Sequence, residues 1–163
     1  MQVTFQGNPL TLVGKQVKVG DTLPAFNVTQ NDLSPLTLED TKGTRIFLTV
    51  PSLDTPVCDL EVKTFNRRAS EIPGVSVHTV SMDLPFAQAR WCGAEGVEAV
   101  NTASNYKDRS FSQATGTFIE ELALLTRAAF VVDANNVVKH VEYLTEITEQ
   151  PNFDAILNAA KAV

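Results

Sequence analysis

The amino-acid sequence predicts an α/β fold, with a mixed central sheet flanked by helices and a β-hairpin at the N-terminus. Three observations carry this expectation. Residues 45–50 form an apolar, β-branched run, residues 58–72 repeat apolar side chains at helical spacing, and residues 75–81 return to a β-branched run, which reads as a βαβ unit with a parallel crossover. Residues 127–132 and 137–143 are strand-like and flank Asp133-Ala134-Asn135-Asn136, the strongest hairpin signal in the chain. Pro151 precedes an amphipathic helix with Phe153, Ile156, Leu157 and Ala160 inward.

Taken in order, residues 2–5 and 10–13 flank Gly7-Asn8-Pro9, the N-terminal hairpin, and 14–20 form a polar connector. Residues 26–29 alternate as a short strand, and 36–38 form another extended piece before Gly43. Thr55 stands at an N-cap position and Pro56 at the first helical position, and the helix they open ends by Pro73-Gly74. A second helix is opened by Asp83-Leu84-Pro85-Phe86 and runs from 86 to 94. It carries Cys92, takes its core face from Phe86 and Trp91, and is loosened at its end by Gly93 and Gly96. Residues 97–103 read as a short strand, and 109–114 as a short helix closed by Gly116. Residues 117–126 mix apolar and acidic side chains without a period, so a helical turn and an extended loop both fit. This order matches the thioredoxin-like plan with an N-terminal β extension and an insertion.

The chain has 163 residues, the size of one domain spanning 1–163, with a formal charge of −6. That charge argues against nucleic acid or anionic membranes as partners. Residues 1–20 lack a basic start followed by an apolar signal core, and no apolar run is long enough to span a bilayer, so a cytoplasmic protein is expected. The two cysteines, Cys58 and Cys92, form neither a C-x-x-C pair nor a disulfide framework. In a reducing compartment they are either inert or part of a transient redox cycle. His78 and His140 fall within predicted strands without ligand spacing, so both read as structural, and no metal or other cofactor is implied.

The stretch Pro51-Ser52-Leu53-Asp54-Thr55-Pro56-Val57-Cys58 joins the first buried strand to the helix. Cys58 lies near the third helical residue, where orphan N–H groups and the helix dipole favour a thiolate, the reactive form. Asp54, Asp59 and Glu61 oppose that ionisation, so a cation from elsewhere in the chain is needed. The plainer reading makes Cys58 a small buried hydrophobe behind ordinary capping, and Cys92 a core residue of its helix.

Pro51-x-x-x-Thr55-x-x-Cys58 resembles the active-site signature of peroxiredoxins, and the full run is similar to that of their bacterial thiol peroxidase group. Phe5-Gln6-Gly7-Asn8-Pro9, the stretch from Asp83 to Gly96 around Trp91-Cys92-Gly93, and Arg127-Ala128 resemble the same group. The resemblance extends from near residue 3 to the C-terminal helix. It implies that Cys58 is the peroxidatic cysteine and Cys92 the resolving cysteine of the same chain. Thr55 would hydrogen-bond thiolate and peroxide, Pro51 would shield the site from water, and Arg127 would hold the thiolate and polarise the peroxide. It further implies a peroxide substrate, thioredoxin as reductant and a homodimer that partly covers Val57. Residues 117–126 depart from the group, with Thr126 where alanine is common, and as a border of the pocket they would bear on substrate preference. A redox sensor that uses the same cysteine switch remains the second reading, separated from a peroxidase by continuous turnover. A disulfide reductase lacks its C-x-x-C.

Overall fold

A computed structural model describes residues 1–163. Seven strands form the central sheet: β3 (Asn27–Gln30), β4 (Pro35–Thr37), β5 (Arg45–Thr49), β6 (Ser76–Ser81), β7 (Asn101–Ser104), β10 (Ala128–Val132) and β11 (Val138–Tyr143), in the order β11-β10-β5-β6-β7-β3-β4. The pairs β5/β6 and β6/β7 are parallel and all others antiparallel, so the sheet is mixed. Helix α1 (Pro56–Arg68) makes the β5-to-β6 crossover, and α2 (Pro85–Glu95) leads from β6 to β7. Helices α3 (Ser110–Thr115) and α4 (Phe153–Lys161) complete the layers. This is the expected thioredoxin-like arrangement.

The period-two alternation of the central strands divides the core. Ile46, Leu48, Ala129 and Val131 point to one face, where Cys58, Val62 and Phe65 of α1, Trp91 of α2 and Ile156, Leu157 and Ala160 of α4 cover them. Phe47, Ala128, Phe130 and Val132 point to the other, under Phe26 and Phe111 of α3. His78 lies in that second layer, stacked on Phe47 with ring centroids 5.3 Å apart. Burial, with Arg45 adding to it, pushes its imidazole down to about 4, which keeps it neutral near pH 7 and suits a structural role.

The N-terminal hairpin pairs β1 (Gln2–Phe5) with β2 (Asn8–Val13) across a two-residue turn, with φ of 50° at Gln6 and 81° at Gly7. Positive φ at both central residues is what a tight hairpin turn requires. Residues 117–126 form a short hairpin with a turn at 120–123: β8 (Phe118–Ile119) pairs with β2 and with β9 (Leu124–Leu125), giving a second sheet of order β1-β2-β8-β9. Each new strand is two residues long, too short to show a period. The segment expected as a strand over 97–103 is strand only from Asn101. The N–H groups of Glu98 and Ala99 go instead to the Asn66 side chain, at 3.2 and 2.8 Å, while Val97 and Val100 plug the core as loop residues.

Candidate active site

The turn between β5 and α1 is held by side chains before it is held by the helix. Ser52 Oγ donates to Asp83 Oδ1 at 2.7 Å, and the Leu53 N–H donates to Asp83 Oδ2 at 2.9 Å. Thr55 occupies the N-cap with extended backbone and Pro56 follows at the first helical position. The Thr55 hydroxyl does not cap a helix N–H, however: it donates to the Ser52 carbonyl at 2.9 Å. Its lone pairs stay available toward the cavity it lines.

Cys58 is completely buried on the core face of α1. Its Sγ lies 3.2 Å from Nη2 of Arg127, which enters from the residue preceding β10. The guanidinium is divided among three acceptors. Nε donates to the Ile147 carbonyl at 2.9 Å, Nη1 pairs with Glu61 Oε2, and Nη2 meets the sulfur. Burial opposes the charge on Arg127, but Glu61 and Cys58 hold its pKa above the ordinary range. Glu61 is itself fully buried, one turn beyond Cys58. Burial pushes its carboxyl up to about 7 against the pull of Arg127, and its Oε1 has no partner.

Of the three carboxylates expected to oppose a thiolate, two have partners of their own. Glu61 instead orients the cation, and Asp59 faces Lys63 at 2.9 Å and Trp91 at 2.9 Å. A signal for Glu61 was present: a carboxylate on the buried stripe of an amphipathic helix requires a buried cation.

Above Arg127 opens a cavity of about 230 Å³ whose lining includes Pro51, Thr55, Val57 and Arg127, with Phe5 and Ile147 as apolar walls. Cys58 is not among its lining residues and is joined to it through Arg127. The N-terminal hairpin reaches this wall because Glu146 accepts from Thr4 Oγ1 at 3.0 Å and from the Gly7 N–H at 2.9 Å. Gln150 Nε2 donates to the Val57 carbonyl at 2.8 Å and pins the first turn of α1. No residue of 117–126 lines the cavity, so that loop does not border the pocket as expected. It is drawn away by its pairing with β2, and the buried Thr126 offers its carbonyl to Thr49 Oγ1 at 2.8 Å.

Pro51, Thr55 and Arg127 thus line one cavity, and Arg127 links it to Cys58. Cys92 lies apart: it is half-buried, its Sγ lies 3.4 Å from Thr102 Oγ1, and it faces a separate cavity beside Asn31. Both cysteines are free. The core face of α2 is Pro85, Gln88 and Trp91. Phe86 is 68% exposed and corrects the expectation that it packs inward, because positions i, i+3 and i+6 from Pro85 take the buried stripe. No three His, Cys, Asp or Glu side chains are placed to hold a metal ion, and no helix is long and apolar enough to cross a membrane.

Comparison with known proteins gives concordant matches. The Redoxin family model matches residues 18–157. A thiol peroxidase of Clostridium acetobutylicum is 58% identical over 99% of both chains. A thiol peroxidase of Halalkalibacterium halodurans is 53% identical over 98% of this chain and 97% of its own. The crystal structure of a peroxiredoxin-like protein from Aquifex aeolicus superposes with a TM-score of 0.93 at 41% identity, covering 99% of this chain and 96% of that one.

Proposed function

The chain belongs to the bacterial thiol peroxidase group of the peroxiredoxins and is a thiol-dependent peroxidase, and from that premise we propose that Cys58 is its nucleophile, Cys92 the thiol that resolves it, and thioredoxin the reductant. The observation that carries this reading is the 3.2 Å contact between Cys58 Sγ and Arg127 Nη2 under a cavity that Thr55 also lines. The Cys58 thiolate attacks one peroxide oxygen, the S–O bond forms as the O–O bond breaks, and the other oxygen leaves as water or an alcohol after taking a proton. Arg127, the Thr55 hydroxyl and the first-turn N–H groups stabilise the charge that moves onto the leaving oxygen. Pro51, buried and lining the same cavity, keeps bulk water from the sulfur. The Cys92 thiol then condenses with the Cys58 sulfenic acid, releasing water and forming a disulfide within the chain. Phe5, Val57 and Ile147 give the cavity apolar walls, which suits organic hydroperoxides as well as hydrogen peroxide.

The test is continuous peroxide consumption coupled to thioredoxin and its reductase, run on hydrogen peroxide and cumene hydroperoxide. Sustained turnover is expected, and a halt after one equivalent would instead identify a redox sensor. Mass spectrometry of non-reduced peptides should join the Cys58 and Cys92 fragments within one chain, while Cys92→Ser should stop at sulfenic acid and overoxidise. Disulfides found only between chains would remove the single-chain cycle.

Residues 1–163 act in this reading as one domain, in a reducing compartment such as the cytoplasm, where two free thiols persist. A homodimer is part of the reading. Leu60 and Leu84 are 51% exposed and Phe86 68%; Leu60 follows Cys58 closely, and Leu84 adjoins the Asp83 that holds the active-site turn. A second copy over this region would cover Val57 and these side chains. Light scattering at micromolar concentration should report twice the chain mass, and a monomer would remove the dimer from the reading.

A further inference from the structure

Between the two cysteine-bearing helices runs a short polar chain that the peroxidase chemistry leaves unused. Trp91 Nε1 donates to Asp59 Oδ1 at 2.9 Å. Asp59 Oδ2 pairs with Lys63 Nζ at 2.9 Å, and the same ammonium reaches Glu95 Oε2 at 2.7 Å. Asp59 directly follows Cys58 on α1, and Trp91 directly precedes Cys92 on α2. No other hydrogen bond or ion pair joins α1 to α2. The flanks of α2 are tied by different means. Asp83 grips Ser52 and the Leu53 N–H ahead of the helix, and Asn66 receives the N–H groups of Glu98 and Ala99 beyond it.

The two sulfurs face different partners, Arg127 for Cys58 and Thr102 for Cys92. A disulfide needs their Cα atoms within about 7 Å and a specific dihedral. With the flanks of α2 anchored, the sulfurs are brought together by unwinding the first turn of α1, the Cys92 turn of α2, or both. Asp59 and Trp91 adjoin those cysteines, so their bond breaks when either turn unwinds. Lys63 and Asp59 are about 30% exposed, so the ion pairs are solvent-screened and the restraint is weak enough to open on the timescale of turnover.

We propose that Asp59, Lys63, Trp91 and Glu95 are positioning residues of the resolving step, forming a latch that holds the peroxide-reactive arrangement closed and sets how often Cys92 reaches the Cys58 sulfenic acid. The inference rests on Cys92 being the resolving thiol. Two reactions compete for the sulfenic acid. With the latch open, Cys58–SOH and Cys92–SH give the disulfide and water. With it closed, a second peroxide oxidises Cys58–SOH to sulfinic acid and is itself reduced to water or an alcohol. The latch therefore sets the partition between turnover and inactivation without entering the first oxidation.

Two variants test it. Trp91→Phe removes the N–H donor but leaves an aromatic ring in the apolar cluster, and Lys63→Met removes both ion pairs at the surface while keeping the aliphatic stem. Rapid-quench mass spectrometry should show disulfide formation roughly fivefold faster in each, the yield of one lost hydrogen bond or a pair of screened ion pairs. The peroxide concentration that inactivates half the enzyme should rise by the same factor, and the rate of the first oxidation should be unchanged. Trp91 is the single tryptophan, so its emission should shift to the red as the disulfide forms in wild type and in Lys63→Met, with the faster kinetics in the variant. Wild-type or slower resolution in Lys63→Met, with unchanged inactivation, would overturn the latch while leaving Cys92 as the resolving thiol. Absence of a Cys58–Cys92 disulfide in the oxidised wild type would remove the resolving reading itself. If Trp91→Phe folds poorly, the surface variant Lys63→Met alone decides.

Discussion

Cys58→Ser is expected to lower peroxide turnover by on the order of 10³-fold or more, to the background of the coupled assay, while the thermal unfolding transition persists. The reason is the leaving proton. A thiol gives up its proton far more readily than a serine hydroxyl, which keeps it unless a base takes it, and no base is hydrogen-bonded to the residue 58 side chain. Its polar neighbour there is Arg127 Nη2, a donor only. The smaller oxygen fits the same fully buried position, so little of the core should be disturbed. Normal turnover in this variant would move the nucleophile elsewhere in the chain and sink the mechanism.

Arg127→Ala should lose both activity and stability, through different partners. Loss of the Nη2 contact removes the cation that faces Cys58 and the leaving oxygen, which should slow reaction with peroxide by roughly 10²–10³-fold. Alkylation of Cys58 at a fixed pH should also slow, because no cation then faces the sulfur. Loss of Nη1 strands the fully buried Glu61 carboxylate, at a cost of about 3–5 kcal/mol, and loss of Nε frees the Ile147 carbonyl. The pH dependence follows from the direction of the Glu61 shift. Its folded value, raised to about 7 from the ordinary 4.5, means that the folded chain holds a proton the unfolded chain has released. Its contribution to stability is therefore full below the unfolded value and is lost as the pH rises through the folded one. Without Arg127 the folded value climbs further, and the loss should extend to higher pH. Denaturant midpoints between about pH 5 and 8 check this. Glu61→Gln should flatten the profile, and Arg127→Ala combined with Glu61→Gln should regain part of the stability lost by Arg127→Ala alone. No recovery in the double variant would mean that the two side chains are not energetically coupled.

Residues 45–81 were legible because a buried parallel strand, a capped amphipathic helix and a second buried strand each write their pattern within a few consecutive residues. Thr55-Pro56 set the helix start by local backbone chemistry, and that start alone placed Cys58 among the first-turn N–H groups. The hairpin around Asp133 and the inward face of α4 were legible for the same reason, since turn chemistry and helical period are short-range properties. Where the pattern is not local, tertiary structure decided. Residues 118–119 became a strand because β2 presents an edge to them, a template supplied from about a hundred positions away, and 124–125 pair onto it in turn. Phe86 lies outside the core because the burial of Pro85, Gln88 and Trp91 fixed the rotation of α2. Sequence periodicity places Glu61 and Cys58 on one buried stripe, but nothing local assigns them a shared partner. Their meeting with Arg127, 66 and 69 positions along the chain, depends on β10 pairing beside β5. Ionic and hydrogen-bonded partners of this kind are selected by three-dimensional proximity and by the cost of burying charge alone, and neither is written in the spacing of neighbouring residues.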